Sequence, residues 1–140
     1  MAQKFPSETI ITADTVVFFN GKIYNKPLDE LEAFSFLKAF SGHVQQVITG
    51  VTVRRGKEVF SQHEETKLFF NKLSDEQIRK FHRSCCALDK AGGFAIEKAG
   101  TLIISKIEGC YYNVLGLPVN TLALLLRNVG IDLWDFLKEL

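Results

Sequence analysis

The chain has 140 residues, 17 basic against 16 acidic, a formal net charge of +1, and 46% hydrophobic residues with 12 phenylalanines among them. That length and apolar content suit a single domain over residues 1–140, and the near-balanced charge argues against nucleic acid or an anionic membrane surface as partner. No apolar run approaches the roughly 20 residues that span a bilayer, and the start shows no signal-peptide apolar region, so a cytoplasmic location is expected.

Residues 10–19 are apolar and β-branched, and Asn20-Gly21 precedes Lys22-Ile23-Tyr24, which predicts a strand, a tight turn and a short second strand. Asp29 caps a predicted helix whose apolar positions Leu31, Phe34, Leu37 and Phe40 recur at helical spacing, with Gly42 as its stop. Residues 44–54 place Val47, Thr49, Val51 and Val53 on one face of a strand, and Arg55-Gly56-Lys57 turns it into a second long strand over 58–70. Ser74 and Gln77 form a capping box for a helix with Ile78, Phe81 and Cys85 on its buried side.

Gly92-Gly93 breaks regular structure, and residues 101–107 read as a buried strand closed by Glu108-Gly109. A loop over 111–118 follows. Pro118 then opens a helix with the stripe Leu122, Leu125, Leu126 and Val129, Gly130 ends it, and a last short helix is expected over 133–140. The result is an α/β fold, a mixed β-sheet with helices packed on it.

Chemistry concentrates in loops and strand ends. Asp14 interrupts an apolar run, so its carboxylate has to be paired, metal-bound or held at a strand end. Lys26, Asp89 and Lys90 lie beside Pro or Gly in loops, where carboxylates hold Mg²⁺ and lysines hold phosphate oxygens. His43, His63 and His82 have no ligand spacing, and Cys85, Cys86 and Cys110 match neither a full set of disulfide pairs nor a zinc site, so thiols are expected. Nucleophile-elbow, P-loop and dinucleotide-binding glycine patterns are all lacking.

The blocks Ala13-Asp14-Thr15-Val16-Val17, Asn25-Lys26-Pro27, Leu73-Ser74-Asp75-Glu76-Gln77-Ile78, Asp89-Lys90-Ala91-Gly92-Gly93 and Tyr111-Tyr112-Asn113-Val114-Leu115-Gly116-Leu117-Pro118 occur in the order of the Maf family of nucleoside triphosphate pyrophosphatases, which the chain resembles over about residues 10–130. The resemblance implies a nucleoside triphosphate as ligand, Mg²⁺ as the divalent metal, Asp14 as catalytic residue and metal ligand, and Thr15, Lys26, Asp89, Lys90 and Glu97 in substrate binding. It leaves room for a homodimer.

Two departures stand out. Family members begin with a strand and a Ser-x-Ser-Pro-Arg-Arg loop that grips the triphosphate, whereas this sequence starts just before the aspartate strand, so a sheet without its N-terminal strand and loop is expected, with a half-built phosphate site and weak activity or none for the chain as it stands. Thr15 follows the dTTP and UTP branch, while Glu97 stands where that branch has Gln and is similar to the 7-methyl-GTP branch. The resemblance therefore implies a dTTP/UTP-type pyrophosphatase, with a non-catalytic Maf-like fragment that keeps a partial nucleotide site and a dimer surface as the alternative.

Overall fold

The computed structural model describes residues 4–5, 7–85, 87–97 and 99–138; the expected Cys86 thiol lies outside them. Its framework is a five-stranded sheet in the order β2-β1-β3-β4-β5, formed by β1 (Thr9–Phe19), β2 (Lys22–Tyr24), β3 (Val44–Arg55), β4 (Glu58–Phe70) and β5 (Ile104–Glu108). The helices are α1 (Glu30–Phe40), α2 (Asp75–Ser84), α3 (Gly100–Ile103), α4 (Tyr111–Val114) and α5 (Val119–Arg127), with 3-10 turns at Ala91–Gly93 and Leu133–Phe136. The expected layering of helices on a sheet is observed, and the pairings among the described strands are all antiparallel.

Turn chemistry sets the register. Asn20 at φ 49° and Gly21 at φ 77° close the β1–β2 hairpin, because a two-residue turn that follows the right-handed strand twist needs positive φ at its centre. Arg55 pairs with Glu58, so Gly56 and Lys57 alone turn β3 into β4. β1 pairs with β3 from Thr9↔Arg55 to Phe18↔Gln46 but with β2 only from Val17 to Phe19. Residues 9–16 of β1 thus keep their outer backbone edge unpaired among the described residues.

Strand alternation sends Val17, Val47, Thr49, Val51, Val53, Thr66 and Leu68 to one face, where all are buried. Leu37 and Phe40 of α1 and Ile78 and Phe81 of α2 pack there with Val17, Val47 and Leu68; Leu122, Leu125 and Leu126 of α5 pack with Val51 and Val53. Each fully buried aliphatic or aromatic side chain contributes about 1.5–3 kcal/mol. Thr49 lies between Val47 of the first cluster and Val51 of the second, so a polar seam divides the core at mid-sheet.

Local signals behave as their chemistry requires. The Asp29 side chain accepts from the Glu32 amide to cap α1, and Ser74 and Gln77 close both bonds of the capping box on α2. Leu31 is 80% exposed, because α1 turns Ala33, Leu37 and Phe40 to the core. The strand expected over 101–107 begins only at Ile104: residues 100–103 form a helical turn, where Gly100 packs so tightly that a Cβ would stand 2.8 Å from the Ala95 carbonyl oxygen. The loop expected over 111–118 contains the helical turn α4, and of the last helix expected over 133–140 the described residues form a 3-10 turn at Leu133–Phe136, while residues 139–140 lie outside them.

Candidate active site

Asp14 and Thr15 sit near the middle of the 11-residue strand β1, opposite Gly50 and Thr49 of β3. The strand end anticipated for Asp14 is therefore corrected: β1 runs on to pair Thr9 with Arg55 because β3 is long enough to match it. A carboxylate is tolerated there because, among the described residues, β1 is an edge at this point and Asp14 is exposed, with Gly50 offering no side chain across from it. The Asp14 Oδ1 atom accepts the Thr15 backbone N–H at 3.1 Å, so the carboxylate folds towards the backbone edge of β1 instead of standing straight off the sheet.

Lys26 lies in the link from β2 to α1. The neighbouring Asn25 carbonyl accepts the Gly92 N–H at 3.0 Å, which ties that link to the loop bearing Asp89 and Lys90. Gly92, at φ 73°, makes the close approach possible: a Cβ there would stand 2.8 Å from Val17 Cγ2 and 2.9 Å from Phe94 Cε1. From behind, His82 Nε2 lies 3.0 Å from the Gly93 carbonyl, and with the ring neutral Nε2 carries the proton and donates. Burial lowers the His82 pKa below its ordinary 6.5, opposed in part by that carbonyl and by Glu30. Asp89 and Lys90 are exposed and only loosely paired, at 4.0 Å, so both remain available to a ligand.

These elements enclose one cleft of about 260 Å³ whose lining includes Asp14, Thr15, Lys26, Asp89, Lys90 and Glu97. All six residues singled out in the sequence are brought to the same place. Val17, Val47, Phe94 and Ile96 give the cleft an apolar floor, and Val114, Leu115 and Gly116 at the end of α4 form a wall beside Thr15. Two lysines and three carboxylates around an apolar floor can hold a ligand that combines a polyanion with a flat apolar body.

The sequence reading assigned no role to the polar residues that fasten this wall to the sheet. Thr15 Oγ1 lies 2.8 Å from Thr49 Oγ1, Thr49 Oγ1 donates to the Asn113 carbonyl at 3.2 Å, and Asn113 Nδ2 donates to the Val47 carbonyl and to Thr66 Oγ1, each at 2.9 Å. Their contacts span 34 to 66 residues of sequence, so no local pattern announces them. The available hint was three polar residues, Thr49, Thr66 and Asn113, at positions that patterning turns inward.

Among the described residues no helix is long and apolar enough to cross a membrane, and no group of three or more His, Cys, Asp or Glu side chains is close enough to hold a metal by itself. A sequence profile of the family described as Maf-like protein matches residues 1–129. The chain is 43% identical over 132 residues to the dTTP/UTP pyrophosphatase of Chlamydia felis, an alignment covering 94% of this chain and 67% of that protein. It is 38% identical over 136 residues to the nucleoside triphosphate pyrophosphatase of Chlamydia muridarum, covering 97% and 69%, and 37% identical over 132 residues to the dTTP/UTP pyrophosphatase of Clostridium tetani, covering 93% and 69%. With the profile extending over so much of its length and such relatives beside it, the chain belongs to the family of Maf-like proteins.

Proposed function

We propose that this chain hydrolyses a nucleoside triphosphate of the dTTP and UTP type to the monophosphate and pyrophosphate. The observation that carries the proposal is the convergence of Asp14, Thr15, Lys26, Asp89, Lys90 and Glu97 on one cleft. Relatives named dTTP/UTP pyrophosphatase at 37% to 43% identity support the same reading.

In this reaction a water oxygen bonds to phosphorus, the bond to the bridging oxygen breaks, and that oxygen leaves with the pyrophosphate and its electron pair. The attacking water must lose a proton. Asp14 is exposed at the cleft edge and, with its Oδ1 engaged by the Thr15 N–H, keeps Oδ2 to orient the water and accept the proton. Lys26 and Lys90 enter from opposite loops and neutralise phosphoryl oxygens as charge builds on the leaving group. The apolar floor and the Thr15 wall are left for the base.

Mg²⁺ is part of this proposal, and the donor chemistry fits it. The cleft offers hard carboxylate oxygens from Asp14, Asp89 and Glu97, without a preformed cage among the described residues. Mg²⁺ characteristically binds through one or two carboxylates together with substrate phosphates and water, so Asp14 would hold it. When bound, the ion withdraws charge from the phosphoryl oxygens.

The test is pyrophosphate release from a panel of dTTP, UTP, CTP, dATP and GTP with Mg²⁺. Release chiefly from dTTP and UTP is expected. Nucleotide binding without turnover of any triphosphate would overturn the proposal.

A further inference from the structure

We infer that the groove between α1 and α2, behind the Asp89–Lys90 loop, is a second binding site, that it takes a small amphipathic anion with an apolar body and one carboxylate or phosphate head, and that its occupant acts on the cleft through the loop. The inference does not depend on the nucleotide reading of the cleft.

The groove has a volume of about 640 Å³, against about 260 Å³ for the cleft, which suits a small organic molecule. Ala33, Phe34 and Ala87 give it an apolar bed. Leu31 of α1 and Leu88 of the loop, 80% and 42% exposed, line it as well, so two separate elements offer apolar contact to the body of a ligand.

The charge is supplied by α2. Arg79 and Arg83 both line the groove, and because residues four apart lie on one helix face, both guanidiniums are presented to it. Neither makes an ion pair among the described residues. The nearby carboxylates on the same helix are already engaged: Asp75, one turn before Arg79, bonds Lys38 at 2.7 Å, and Glu76 bonds Lys80 at 2.8 Å. The Arg79 guanidinium carbon sits 5.0 Å from the centroid of the Phe34 ring, a cation–π contact that holds the group over the apolar bed while its N–H donors keep no carboxylate. Glu30 contributes one carboxylate to the lining, and two guanidiniums against it leave the groove net positive. Cationic forks beside an apolar bed match a ligand that joins an anionic head to an apolar body.

The groove and the cleft share a wall. Ala87 and Leu88 line the groove, and the next residues, Asp89, Lys90 and Ala91, line the cleft. The Lys90 N–H donates to the Ala87 carbonyl at 3.3 Å, and the Lys90 carbonyl accepts the Gly93 N–H at 3.0 Å, so this segment is tied to itself. Groove residues anchor its far end. His82 Nε2 is 3.0 Å from the Gly93 carbonyl, and a Cβ on Gly93 would stand 3.2 Å from Ala33 Cα. An occupant that presses on Leu88 or His82 therefore shifts the backbone that carries Asp89 and Lys90, and a cleft ligand must alter groove affinity by the same factor.

The probe is anilinonaphthalene sulfonate, an apolar body with one anionic head, titrated into the full chain and followed by fluorescence; phenylnaphthylamine supplies a similar body without the charge. The sulfonate should saturate a single site. Its affinity should fall at least about fivefold in Arg79→Ala and in Arg83→Ala, and stay unchanged in Lys80→Ala, whose ion-paired side chain lies outside the groove. Amide NMR shifts on saturation should appear at Ala33, Ala87 and Leu88 and carry through to Asp89 and Lys90. Octanoate and octyl phosphate should displace the dye, and the tighter of the two identifies the head group. Equal affinities in Arg83→Ala and Lys80→Ala, equally tight binding of the uncharged dye, displacement by neither octyl compound, or shifts confined to Asp14, Thr15 and Lys26 would overturn the site. Silence at Asp89 and Lys90 would overturn the coupling. Light scattering that finds the wild type a dimer and Leu31→Lys a monomer would give the groove to a second copy of the chain and overturn the ligand assignment.

Discussion

Gly92 offers a quantitative check on how the Asp89–Lys90 loop is held over the cleft. Replacing it with Ala puts a side chain on a residue at φ 73°, and the new Cβ would stand 2.8 Å from Val17 Cγ2 and 2.9 Å from the Phe94 ring. The left-handed conformation costs an L-residue about 1–2 kcal/mol, and overpacking a tight site adds about 1–3 kcal/mol, so Gly92→Ala should destabilise by about 2–5 kcal/mol. Gly56 supplies the internal control. It has φ 59° with nothing within 4 Å of its added Cβ, so Gly56→Ala should show the conformational part alone, about 1–2 kcal/mol. Urea unfolding of both variants isolates the packing contribution as their difference. Equal costs for the two substitutions would refute the claim that this loop is pressed against β1.

The remaining expectations are shorter. Ser74→Ala removes one half of the capping box on α2 and should lower stability by about 1 kcal/mol in the same assay. The His82 pKa is depressed by burial, so below pH 6.5 the unfolded chain takes up a proton before the folded one does; stability should fall as pH drops from 6.5 and level off below the folded pKa, and His82→Gln should lack that part of the acid slope. Lys90→Gln should weaken triphosphate affinity measured by calorimetry while leaving the unfolding free energy from urea titration within about 0.5 kcal/mol of wild type, because its side chain is exposed and its ion pair with Asp89 is loose.

What could be read from the sequence was local chemistry. The Asn20-Gly21 turn, the Asp29 cap, the Ser74–Gln77 box and the alternation of Val47, Thr49, Val51 and Val53 each act within a few residues, and each reappears in the structure. Asp14, Thr15, Lys26, Asp89 and Lys90 came from ordered motifs and Glu97 from a position that separates branches of the family, and the fold places all six around one cleft. Contacts made across the chain were illegible. Residues 100–103 carry apolar and β-branched residues that fit either a strand or a helical turn, and the Gly100 approach to Ala95 settles the choice. Asp14 suggested a strand end because an isolated carboxylate suits one; an unpaired strand edge accommodates it equally well, and only the pairing of β1 with β3 reveals the difference. The hydroxyl and amide chain from Thr15 to Cys110 unites four separate segments, and sequence spacing carries no trace of it.

The most direct test of the proposed activity is pyrophosphate release from UTP by wild type and by Asp14→Asn at equal concentration and saturating Mg²⁺. The substitution preserves shape and an oxygen for the Thr15 N–H while removing the group that accepts the proton. The account predicts measurable release by the wild type, a fall of at least about 10²-fold in kcat for Asp14→Asn, and an unchanged urea midpoint. Equal turnover by the two proteins would contradict it.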